Sequence, residues 1–195
     1  MRIDTFTRVL HISMVLTVLY QMFSSIWMFT PEPGKMVGYE TILYSWHIMF
    51  MGWSAVAVAC IYGMVRFAEY HEWTRLIPWF SKSKRAAFMR SAKQELPDMM
   101  QGKLAKPEKR TALAGAMHGL GFMLLIVMGL TGSYAMLGIR PDGTTSADML
   151  FMFELHAFFG LIVWYFLAGH VSMVIYHLIL GHRQVLDIFQ YSKKV

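Results

Sequence analysis

Four stretches of this chain, residues 9–29, 39–65, 113–137 and 149–180, carry almost no charge, and each has the ~20 residues a membrane-spanning helix needs. That constrains the fold more than any other feature. A hydrocarbon core offers the backbone no hydrogen bonds, so a spanning segment must satisfy its own, as a helix does. Charged residues make up 15% of the 195-residue chain and hydrophobic residues 56%, which separates it from a soluble domain, where roughly a quarter is charged. The expectation is an all-α integral membrane four-helix bundle, one fold unit over 1–195. The last stretch exceeds a bilayer's need. Tyr176, His177, His182 and Arg183 return polarity at its end, as a helix leaving the membrane would.

Charge orients the bundle. Of the eighteen basic residues, eleven fall in the connection 66–110 and five at the termini: Arg2, Arg8, Arg183, Lys193 and Lys194. The other two connections hold Lys35 and Arg140 alone. Sixteen against two places both termini and the 66–110 loop in the cytoplasm, in agreement with an even number of spans. The net charge of +6 is thus a topology signal beside lipid headgroups and points to no nucleic acid. The first stretch follows Arg residues as a signal peptide would, but no small-residue cleavage site comes after it and the apolar run continues to Phe29, so it reads as an uncleaved helix. Cys60 is the single cysteine. That excludes a disulfide within the chain, a CxxCH haem attachment and a thiolate set for an iron–sulfur cluster.

The histidines carry the chemistry. An imidazole in hydrocarbon needs a partner that repays its desolvation. His156 and His170 are fourteen residues apart, ~1400° of helical rotation and so within about 40° of four full turns, with ~21 Å between them along the axis. Both face one way at two depths. Topology supplies each with a partner, His47 in the outer leaflet for His156 and His11 in the inner leaflet for His170. Opposed imidazoles across a helix bundle are the ligand set of a hexacoordinate haem iron, and two such haems at two depths make an electron path. Gly115, Gly119, Gly121, Gly129, Gly132, Gly160, Gly169 and Gly52 leave room for a flat macrocycle, although small residues also serve close helix packing. His71, His177 and His182 belong to the wet cytoplasmic surface. His177 also lies about 20° from the face of His170 and is the alternative inner ligand. His118, near the inner end of the third span, suits a helix-to-helix hydrogen bond or a proton transfer to a bound quinone. Arg8 suits an inner haem propionate, and Arg66, Lys109 and Arg110 are similar cases. Glu154, Trp27, Trp46, Trp53 and Trp164 read as interface residues.

Four spans, histidines in the first and second and a pair fourteen apart in the fourth resemble the bacterial di-haem cytochrome b group. That group includes cytochrome b561 and the cytochrome b subunits of formate dehydrogenase and nickel-iron hydrogenase. The resemblance covers nearly the whole chain and implies two non-covalent b-type haems in a bacterial inner membrane. The periplasmic haem would be held by His47 and His156, the cytoplasmic one by His11 and His170. It also implies electron traffic between a redox partner, an iron–sulfur or catalytic oxidoreductase subunit, and quinone near the cytoplasmic haem. The 66–110 loop resembles those dehydrogenase subunits. A free-standing cytochrome acting on quinone and superoxide is the nearest alternative. Eighteen methionines raise a Met/His metal transporter, opposed by their scatter and by the lack of carboxylates along the spans, and a cofactor-free anchor would leave four buried histidines without a purpose.

Overall fold

The computed structural model describes residues 3–28, 39–70, 76–106, 109, 111–139 and 147–190. Arg2, Lys35, His71, Arg110, Arg140, Lys193 and Lys194 lie outside them. Among the described residues the regular structure is helical throughout, with no strand, and four helices are long and apolar enough to cross a membrane.

Helix α1 spans Thr5–Ser25, four residues ahead of the expected start. Asp4 causes the shift: its carboxylate accepts the Thr7 backbone N–H at 2.8 Å and the Thr7 hydroxyl at 2.7 Å, so the chain turns helical before the apolar run begins. These bonds hold the Asp4 carboxyl below its ordinary pKa. The helix ends at Ser25 in a short turn, before Phe29. The second span is assembled from α2 (Tyr39–Ser45), a π-helical turn (Trp46–Gly52) and α3 (Trp53–Tyr70). The loop expected at 66–110 contains a further helix, α4 (Lys82–Met100). Its Lys, Arg, Ala, Met, Gln and Glu content favours a helix without an apolar block. It closes at Gly102, which takes φ +74°, with Lys103 N–H donating to the Asp98 carbonyl at 2.8 Å and Gly102 N–H to that of Met99 at 3.1 Å. Helices α5 (Ala112–Leu137) and α6 (Ala147–Ile179) fall within two residues of the expected spans. Apolar side chains such as Leu16, Leu130 and Tyr165 face outward from them, as lipid contact requires.

Contacts divide the chain into two compact units. The first comprises Met1–His11, Tyr62–Met123 and Phe166–Val195; the second comprises Ile12–Ile61 and Leu124–Tyr165. In the first unit, Tyr176 donates its hydroxyl to the Met99 carbonyl and Leu113 N–H donates to Ser91 Oγ at 3.2 Å, tying α4 to α6 and α5. Its closest approach is at Gly119, where a Cβ would fall on the Leu76 carbonyl group. In the second unit Phe23 packs edge-on against Trp164 with 5.9 Å between ring centres.

Candidate haem-ligand clusters

The second unit brings His47 and His156 together. His47 sits on the π turn and is buried, and Gln21 Nε2 donates to its carbonyl at 2.5 Å. A Cβ on Gly52 would come within 2.7 Å of that oxygen, so the widened turn closes on a residue without a side chain. The His47 ring meets Ser24, with 2.8 Å from Nδ1 to Oγ. Assigning the Ser24 proton to the Gln21 carbonyl at 3.2 Å leaves the Ser24 oxygen to accept from His47 Nδ1. His156 repeats the arrangement. Its Nδ1 is 3.0 Å from Thr131 Oγ1, whose proton goes to the Val127 carbonyl at 2.8 Å. With that assignment both imidazoles keep a free Nε2 lone pair.

The two ring centres lie 6.4 Å apart at 76°. A metal gripped by two imidazole nitrogens at ~2 Å each leaves ring centres about 6 Å apart, so the separation suits one iron between them. Gly132 makes space for the His156 ring: a Cβ there would lie 2.9 Å from Cε1 and 3.2 Å from Nδ1. Gly121 and Gly129 of α5 also face protein. A Cβ on Gly121 would come within 2.6 Å of the Phe166 ring, and one on Gly129 would collide with Val56. Close packing of protein groups accounts for these positions, and none of the contacts requires a macrocycle.

The first unit holds His11, His118 and His170. His170 stacks on Phe166, with 6.0 Å between centres at 15°, and meets His118 edge-on at 6.0 Å and 70°. His11 lies edge-on to Tyr62 at 5.9 Å and to Phe189 at 5.2 Å. Within this unit His11 lies in electrostatic reach of His170 and Arg66, and His118 of all three. Among the described residues, two buried side-chain nitrogens lack a hydrogen-bond partner, His11 Nδ1 and Arg8 Nε. Leaving such an atom unpaired costs about 1–3 kcal/mol, more when charged, so each marks a place where a bound group would be stabilised. A metal suits the first and an anion the second.

His177 points elsewhere, its Nδ1 lying 3.1 Å from His182 Nδ1. Glu154, Trp27, Trp46 and Trp53 are exposed, as interface residues would be. Sequence reasoning passed over Ser24 and Thr131, which meet the histidine rings, and Gln21, which holds the His47 carbonyl. The available signal was a polar side chain placed mid-span within one helix of each histidine.

Paired imidazoles inside helices long and apolar enough to cross a membrane are a candidate ligand set for a membrane-embedded metal cofactor. Residues 2–190 match the prokaryotic cytochrome b561 family, and the chain belongs to it. No curated protein and no solved structure matches it. Family membership makes it a multi-pass bacterial membrane cytochrome, with b-type haem and a general role in transmembrane electron transfer.

Proposed function

We propose that the whole chain acts as one di-haem unit of the bacterial inner membrane, joining a redox partner subunit to the quinone pool. His47 and His156 hold one haem and His11 and His170 the other, both non-covalently. The observation that carries the reading is the His47–His156 pair: ring centres 6.4 Å apart and Nδ1 groups engaged by Ser24 and Thr131. When bound, the haem supplies a one-electron iron couple that needs no proton from the chain. The protein supplies orientation and exclusion of water. Ser24 and Thr131 lock the ligand rings, Gly132 admits one of them, and the surrounding apolar side chains keep the site dry.

For the second site, the orphaned His11 Nδ1 and Arg8 Nε support an iron ligand and a propionate partner respectively. His118 holds a proton for quinone reduction beside His170. The charge asymmetry supports cytoplasmic termini, which puts this site on the cytoplasmic side, with electrons entering from a periplasmic iron–sulfur or catalytic subunit. A pyridine haemochrome assay tests the ligand set. Wild type is expected to hold two equivalents, and His156→Ala and His11→Ala about one each. Protein that is colourless after growth with ample iron, or variants that keep both haems, would refute it. Purification from native membranes tests the partner: a co-purifying catalytic subunit supports it, and a sole haem protein overturns that part.

A further inference from the structure

The end of α6 presents a second histidine arrangement, which the haem reading does not use. After Ile179 the chain closes in a Schellman turn: His182 N–H donates to the His177 carbonyl at 2.9 Å and Gly181 N–H to that of Leu178 at 3.0 Å, with Gly181 at φ +79°. This backbone, rather than side-chain chance, sets two imidazoles side by side. Their Nδ1 atoms are 3.1 Å apart, with ring centres 5.4 Å apart and planes at 46°. Both residues are half-buried, so the rings are ordered yet reachable from water.

We infer that His177 and His182 form a two-nitrogen clip for one divalent transition-metal ion on the end of α6. Without metal the two nitrogens share one hydrogen, one ring donating and the other accepting. Replacing that hydrogen by a metal asks the rings to turn about their side-chain bonds until both lone pairs meet off the N–N line. Two nitrogens ~2.1 Å from a common ion and 3.1 Å apart subtend roughly 95°. A tetrahedral ion would need them about 3.4 Å apart, so the observed spacing favours the right-angled edge of Cu(II) or Ni(II) over Zn(II). Water completes the coordination. The neighbouring Arg183 opposes a cation, but it is exposed and solvent-screened. The preformed turn lowers the ordering cost that a pair of free surface histidines would carry.

The test uses detergent-solubilised, haem-loaded protein titrated with Cu(II) alone and read by electron paramagnetic resonance. One Cu(II) per chain with splitting from two imidazole nitrogens is expected. His182→Gln and His177→Ala should each weaken binding at least tenfold and reduce the nitrogen count to one. The visible haem band of His182→Gln, a turn variant, should match wild type and so report an intact fold. No stoichiometric copper in wild type, or wild-type copper affinity in both variants, identifies an adventitious ion only and overturns the inference. Because copper is read by its own resonance, failure here leaves the haem assignment standing, and colourless protein would leave the clip testable.

Discussion

Ser24→Ala removes the hydroxyl 2.8 Å from His47 Nδ1, and Thr131→Val the hydroxyl 3.0 Å from His156 Nδ1. At the buried His47 this leaves a ring nitrogen unpaired at a cost of about 1–3 kcal/mol, and at the half-buried His156 it weakens the hold on the ring. Part of that cost depends on the iron's charge. A hydroxyl accepting from Nδ1–H makes the imidazole a stronger donor, which favours the oxidised metal, so its loss favours the reduced one. Taking the charge-dependent part as ~0.5–1 kcal/mol gives an upward shift of about 20–40 mV in the one-electron potential for each substitution. The hydroxyls act on separate rings, so the double variant should shift by about the sum. Optical redox titration of purified protein measures it, with Ser25→Ala as control, since the exposed Ser25 donates only to the Met22 carbonyl. The haem lost in His156→Ala is the one that should move. Unchanged potentials in both variants, or a shift confined to the haem lost in His11→Ala, would refute the tautomer argument.

Gly132→Ala sets a methyl 2.9 Å from the His156 ring and should lower occupancy of that site, read as loss of up to one haem equivalent while the other persists. Gly119→Ala drives a Cβ into the Leu76 backbone, which cannot rotate away as a side chain would, and should cost about 1–3 kcal/mol, measured as a lower thermal midpoint in detergent. Asp4→Ala removes the cap of α1 and should cost about 1 kcal/mol at neutral pH, read by amide exchange in the first turn. The folded Asp4 carboxyl titrates below the unfolded value of 3.8, so its contribution is complete above that value and fades as pH falls through the lower folded one. Wild type and Asp4→Ala should therefore draw together as pH falls through that lower folded value, and a gap that persists in strong acid would show that charge on Asp4 is irrelevant.

Helices α5 and α6 were legible almost to the residue because an uninterrupted apolar run leaves a lipid-solvated backbone no alternative. Hydropathy could not place the start of α1, since a hydrogen-bonding cap at Asp4 decides it and caps are polar. The π turn at Trp46–Gly52 escaped notice because the reading assumed a constant period. Its only trace is a glycine five residues after His47. Helix α4 was hidden for a related reason. It rests on intrinsic propensity and on ties to α5 and α6, neither of which produces an apolar block. Depth-pairing from the sequence made candidates of His47, His156, His11 and His170. It could not see the hydroxyls that orient two of them, because hydrogen-bond partners from another helix depend on rotation about the helix axis that spacing alone leaves open.

The two histidine clusters differ in a way that bears on the direction of electron flow. His47 and His156 each donate to a hydroxyl, which strengthens them as ligands and lowers the potential of the iron they would hold. In the first unit His170 stacks on Phe166. Arg8, buried to 7% exposure with an unpaired Nε, and Arg66 add positive charge there. These nearby cations favour the reduced iron. The His11–His170 haem should therefore have the higher potential, and electrons should run downhill to it from the His47–His156 haem. Assignment needs only the single-haem variants: the haem retained in His156→Ala should titrate above the one retained in His11→Ala. Arg8→Gln should lower the former and leave the latter in place. The reverse order would mean that the charges and hydroxyls do not set the potentials, and the proposed flow toward the His118 side would lose its driving force.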